Sequence, residues 1–162
     1  MKKVFTLLLA MVVCYVYSSC DTDEVFNEEE QLAVDLQLID QFLADNNLIA
    51  EIDQDSQLRY IVSQAGTGDN ARFGNSVEVH YRGTLLDGTE FDNSEGRGPF
   101  TFVLGRNDVI AGWTVGFQLL NVGSQAIFFV PSSLAYGNSR GPANNLPLNA
   151  VLVFEVTVLD IR

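Results

Sequence analysis

From residue 58 onward the chain alternates apolar or aromatic positions with polar ones in short runs. LRYIVSQ, SVEVHYRGTL, FTFVL, QAIFFVP and AVLVFEVTVLDI are rich in β-branched and aromatic residues and are separated by Gly, Asn, Asp or Pro, which predicts strands divided by turns. In Val77-Glu78-Val79-His80-Tyr81-Arg82 the alternation is unbroken. Successive strand side chains point to opposite faces, so one face is expected to be buried and the other wet, as in an antiparallel sheet. Asp87-Gly88 gives a hairpin-turn signal, although Glu90-Phe91 beyond it need not pair in ideal register. One helix is predicted inside this region, over residues 109–120, with Trp113, Phe117 and Leu120 on a common face. A single helix packed across a curved antiparallel sheet makes an α+β fold.

Upstream the period changes. DTDEVFNEEE, after Cys20, reads as a short solvated linker. Asn27 followed three residues later by Glu30 is a helix-start signal. Leu32, Leu36, Ile39 and Leu43, with Phe42 beside it, then recur at helical spacing, predicting an amphipathic helix that runs to about Ala44 and ends at Asn46-Asn47. Its apolar face suits a stalk helix packed on its own domain or a dimerisation or partner helix, and the segment is too short to assert a coiled coil.

The first residues have a targeting pattern. Lys2 and Lys3 precede an apolar run over residues 4–17, and Ser18-Ser19 stand before Cys20, as in an export signal whose apolar core is shorter than the ~20 residues of a spanning helix. YSSC is similar to a relaxed lipobox, which implies cleavage before Cys20, lipidation of that cysteine and attachment to a membrane. The expected organisation is a lipoprotein signal peptide over 1–19, an acidic linker and amphipathic helix over 20–57, and one domain over 58–162. The expected place is the envelope of a Gram-negative type of cell, at the outer membrane.

Charge sharpens this division. The 162-residue chain has a net charge of −12, or −14 without Lys2 and Lys3. Residues 21–57 carry twelve acids and no Lys or Arg, whereas residues 58–162 carry nine acids and seven arginines. The acidity therefore belongs to the tether, and the scattered arginines form no stripe for nucleic acid. Both cysteines, Cys14 and Cys20, lie in the first 20 residues, so the main domain has neither a disulfide nor a cysteine metal site.

Several familiar chemistries fail on the residues. Residues 66–71, GTGDNA, fit a dinucleotide pattern, but a strand rather than a helix follows, so a turn is the better reading. His80 is the only histidine and falls on the polar face of its strand, which argues against a nucleophile triad and leaves it as a surface residue. No His-Asp-Glu cluster has metal-ligand spacing, and neither a metal nor a cofactor is expected.

An aromatic constellation remains. VEVHYRGTLLDGTEFDNS (residues 77–94), VIAGW (109–113) and LAYG (134–137) occur in this order. Over residues 58–162 the chain resembles the FKBP-type peptidyl-prolyl isomerases, whose half-barrel presents aromatic side chains to a proline ring. The resemblance implies that Trp113 is the floor beneath the pyrrolidine ring, with Tyr81, Phe91, Phe100 and Phe154 as walls and Val109 and Ile110 lining the pocket. It implies that Tyr136 offers its hydroxyl to a substrate carbonyl, that the backbone of Ile110 donates a hydrogen bond, and that Leu146 is an apolar residue at the pocket edge. Asp92 is implied to be an electrostatic and orienting group at the rim, held by Tyr81 and Arg97. The catalytic set is then Tyr81, Phe91, Asp92 and Tyr136. The expected partners are proline-containing segments of exported proteins, with macrolide inhibitors of the rapamycin type as further ligands. A binding module or chaperone that uses the same groove with little turnover is the alternative reading, and a surface protein working through its acidic helix is a third.

Overall fold

The computed structural model describes residues 27–142 and 145–162. Helix α1 spans Glu28–Asp45, followed by strands β1 (Glu51–Ile52), β2 (Arg59–Gln64), β3 (Ser76–Leu85), β4 (Glu90–Asn93) and β5 (Phe100–Val103). Helix α2 (Ala111–Phe117), strand β6 (Gln125–Val130), a 3₁₀ turn (Ser132–Leu134) and strand β7 (Leu152–Ile161) complete the order.

The strands form one antiparallel sheet in the order β1-β2-β6-β7-β3-β4, with β5 also paired to β3. Strand β3 is the hub. One edge pairs along its whole length with β7, while the other pairs first with β5 and then, beyond the bend, with β4. Register shifts at Glu78/Val79 and Gly83/Thr84 bend it, as bulges do, and curl the sheet around its concave face. The hairpin at Asp87-Gly88 forms with Gly88 at φ +85°, and the amide of Leu85 donates to the carbonyl of Thr89.

Alternation decides which side chains enter the core. Val77 and Val79 of β3, Phe128 and Val130 of β6, and Leu152, Phe154, Val156 and Val158 of β7 meet Trp113, Phe117 and Leu120 on the concave side. Helix α2 lies close to β6 because it presents glycines there. A Cβ on Gly112 would come within 2.5 Å of Val130, and one on Gly116 within 2.7 Å of the Phe128 ring. The helix is shorter than residues 109–120: Ile110 is its N-cap, and after Phe117 the chain tightens into i→i+3 bonds from Leu119 to Gly116 and from Leu120 to Phe117.

The convex face is not uniformly wet. Ile39 and Leu43 of α1 pack with Phe129, Val151 and Val153, and Phe42 lies 5.9 Å from Phe129. Val153 alternates with Leu152 and Phe154, so β7 carries apolar side chains on both faces where α1 covers it. The Asn27 side chain caps α1, accepting from the amides of Glu29 and Glu30, and Asn47 at φ 55° follows its end. Of the two arrangements open to this helix, the structure contains the one packed on its own domain. The change of pattern at residue 57 does not separate two bodies, because β1 pairs with β2 and α1 docks on the same sheet. The expected signal peptide over 1–19 and Cys20 lie outside the described residues.

Candidate functional site

Trp113 stands in the first turn of α2, 4 % exposed, at the bottom of a cavity of ≈ 180 Å³. Tyr81 from β3, Phe91 and Asp92 from β4, Phe100 from β5 and Phe154 from β7 form its sides. Asp108, Val109 and Ile110 enter from the segment before α2, and Tyr136 comes from the stretch after the 3₁₀ turn. Residues far apart in sequence meet here because β3 reaches β4, β5 and β7 at once.

The rings hold one another nearly at right angles. Tyr81 and Phe154 lie 5.1 and 5.2 Å from Trp113, both at 80°, and Phe91 meets Phe154 at 5.6 Å and 88°. Such edge-to-face contacts add about 0.5–1.5 kcal/mol each beyond burial, so the walls are set before any ligand arrives. Gly83 makes room for one of them, since a Cβ there would lie 2.7 Å from Phe91 and 3.0 Å from Phe154. The Trp113 indole N–H is buried without an acceptor among the described residues, and the Ile110 backbone N–H also has none among them.

Asp92 is the hub of the hydrogen bonds between side chains at the cavity. The Tyr81 hydroxyl donates to Asp92 Oδ2 at 2.6 Å, while Arg97 and the amide of Asn93 bind Asp92 Oδ1. Partial burial pushes the Asp92 carboxyl upward, but the Tyr81 and Arg97 bonds outweigh it and hold the group below its ordinary range. Tyr81 is pushed up to about 12, first by burial and then by its bond to Asp92. Burial, followed by the negative charge of Asp92, raises Tyr136 as well, so both phenols stay protonated at neutral pH. The cavity therefore offers an apolar floor, an ionised carboxylate that is already engaged, and neutral hydroxyl donors. Among the described residues its lining has no Ser, Thr, Cys, His or Lys, so no nucleophile is paired there with a base.

The structure brings together Tyr81, Phe91, Asp92, Phe100, Val109, Ile110, Trp113, Tyr136 and Phe154. Leu146 is the exception. It is 3 % exposed and belongs to the hydrophobic core, where its Cδ1 would lie 2.9 Å from a Cβ on Gly141. It is not part of the cavity lining and packs in the core beside Gly141 and Tyr136. Asp108 lines the cavity and was not foreseen, its only signal being an acid directly before VIAGW. His80 is exposed on the opposite face, with Nδ1 3.0 Å from Ser94 Oγ. The wider groove on that face, ≈ 560 Å³, has His80, Arg82, Gln125, Glu155 and Thr157 along it and none of the aromatic floor. Among the described residues no cluster of His, Cys, Asp and Glu could hold a metal ion.

The chain is similar to known proteins. The FKBP-type peptidyl-prolyl cis-trans isomerase family model matches residues 68–159. The isomerase FkpA of Aeromonas hydrophila is 53 % identical over 109 residues, covering 67 % of this chain and 39 % of that protein. FkpA of Escherichia coli strain K12 is 42 % identical over 106 residues, covering 65 % and 38 %. The crystal structure of FkpA from Escherichia coli superposes with a TM-score of 0.69 at 34 % identity, over 83 % of this chain and 62 % of that one. The chain thus spans about two fifths of the length of these curated relatives. The shared region contains the β3 hub, α2 and every cavity residue named above. By this match over more than half its length, the chain belongs to the FKBP-type peptidyl-prolyl cis-trans isomerase family.

Proposed function

We propose that this protein catalyses cis-trans isomerisation about Xaa-Pro bonds, with the proline ring seated on Trp113. The observation that carries this reading is the aromatic cavity closed at its rim by an already engaged carboxylate. Rotation about an Xaa-Pro bond faces a barrier of ~20 kcal/mol because amide resonance must be broken. The reaction transfers no proton and forms no covalent bond to the protein, which suits a cavity lining in which no nucleophile is paired with a base. A planar amide has more charge separation than a twisted one, so an apolar cavity that takes the amide out of water favours the twisted form. Tyr81, Phe91, Phe100 and Phe154 confine the ring. The Tyr136 hydroxyl and the Ile110 N–H are donors for the carbonyls on either side of the proline. Asp92 stays ionised and acts electrostatically, keeping the Tyr81 hydroxyl oriented and charge close to the twisting amide. In this reading macrolides of the rapamycin type occupy the same cavity.

The substrates in this proposal are proline-containing segments of exported proteins, met by an enzyme tethered through a lipid on Cys20 at the outer membrane. Support comes from the Lys2-Lys3 start, the apolar run after it and the YSSC sequence. Two experiments test the proposal. The protein added in catalytic amounts should accelerate the slow, proline-limited refolding of an unrelated substrate protein, and a Phe91→Ala, Asp92→Leu variant should not. Binding of the substrate without acceleration would instead make the protein a binding module. Cys20→Ala should move the protein from the membrane to the soluble fraction, and an unchanged membrane fraction would contradict the tether.

A further inference from the structure

Asp35 lies in the middle of α1, outside the segment that matches the family, and is 0 % exposed. Its Oδ2 accepts from the backbone amide of Ser132 at 2.7 Å, and the Gln31 side chain, one turn earlier, donates to its Oδ1 at 2.8 Å. Ser132 opens the 3₁₀ turn immediately after Pro131, and it too is buried. Its carbonyl accepts from the amides of Ala135 (2.9 Å) and Gly137 (2.8 Å), the two residues flanking Tyr136. One residue, Ser132, therefore links the N-terminal helix to the cavity wall: the Asp35 carboxylate accepts from its amide, and its carbonyl accepts from both neighbours of Tyr136. The same helix is anchored a turn further on by Asp40, which pairs at 3.3 Å with the buried Arg59.

We propose that Asp35 is a positioning residue for Tyr136, so that the working site includes α1 and begins well before the family-matching segment. A buried carboxylate needs a compelling partner, and a buried amide at the start of a turn needs an acceptor. Each satisfies the other here, and the Gln31 bond aims the carboxylate. Removing the acceptor leaves the Ser132 N–H buried and unpaired, and the turn can recover a partner for it only by shifting. That shift is transmitted to Tyr136, because the Ser132 carbonyl is the shared acceptor on both of its sides.

The proposal rests on Tyr136 being a wall of the working cavity, and its test uses two readouts that fail separately. In the full-length protein, amide hydrogen exchange at Ala135 and Gly137 reports the turn whether or not there is turnover, and kcat/KM on an Xaa-Pro peptide reports the site. Asp35→Ala should speed exchange at Gly137 while leaving the β3–β7 ladder protected, and should lower kcat/KM on the order of tenfold, as a displaced contact does. Asp35→Asn, which keeps an acceptor, should restore most of both. In a Tyr136→Ala background, Asp35→Ala should cost kcat/KM nothing further. Gln31→Ala, a milder change that preserves the fold, should move both readouts in the same direction by a smaller amount. Wild-type protection at Gly137 in Asp35→Ala, or an equal loss of kcat/KM with and without Tyr136, would overturn the proposal. A wild-type protein without turnover would end the isomerase reading, leaving the exchange result alone to decide the positioning role.

Discussion

Two carboxylates stand at the cavity, and only Asp92 has both oxygens engaged, by Tyr81 on one side and by Arg97 and the Asn93 amide on the other. Its depressed pKa fixes the direction of the pH response. Such a group stabilises the fold above its unfolded pKa, and that contribution is lost as pH falls through the folded value, from about pH 4 downward. Tyr81 responds at the other end. With its pKa raised to about 12, its contribution is complete below the unfolded value near pH 10 and disappears as pH climbs from there through the folded value. An NMR titration following the Asp92 carboxyl carbon and the Tyr81 ring should show both displacements. Tyr81→Phe should raise the Asp92 pKa, because one of the bonds that lower it is gone, and should reduce kcat/KM by roughly three- to tenfold. An unaltered Asp92 titration in that variant would mean that Arg97 and the Asn93 amide hold the carboxylate without Tyr81. The aromatic residues and Asp92 were legible in the sequence because they sit inside short contiguous motifs. Leu146 and Asp35 were not. Leu146 lies in a segment without periodicity, where the turn at Gly141 decides what is covered. Asp35 does carry a faint signal, since it lies four residues before Ile39 on the buried stripe of α1, where a carboxylate needs a partner.

At the scale of elements, alternation predicted the strands and their buried faces well, since the period of two is set by backbone geometry alone. The short β4 and the length of α2 were harder to see, because both depend on contacts distant in sequence. Helix α2 stops where Phe117 and Leu120 must turn into the core, and its position against β6 depends on Gly116. Gly116→Ala should force the Phe128 ring to shift and destabilise the fold by about 1–3 kcal/mol, measured as a lower urea midpoint. An unchanged midpoint would show that the ring moves aside freely. Helix α1 was legible as amphipathic, but which surface its apolar face covers could be seen only in three dimensions. Ile39→Ala removes a fully buried side chain between α1 and the sheet and should cost about 2–5 kcal/mol. Were α1 a free stalk, that substitution would leave the unfolding curve in place.

Across the whole molecule, charge and structure divide the chain differently. The acids cluster before residue 58, yet part of this acidic stretch is built into the fold through Ile39 and Leu43, the Asp35 bond to Ser132 and the pairing of β1 with β2. Apart from the buried Asp35, the acids of α1 mark its solvated side, while its other side completes the body that carries the cavity. The proposed function requires that cavity to accelerate rotation rather than only bind proline. The most direct measurement is the cis/trans exchange rate of a short Xaa-Pro peptide by NMR, with the protein added catalytically and the Phe91→Ala, Asp92→Leu variant as control. Faster exchange with the protein and none with the variant is the predicted result. Peptide shifts that reveal binding while the exchange rate stays at its uncatalysed value would contradict it.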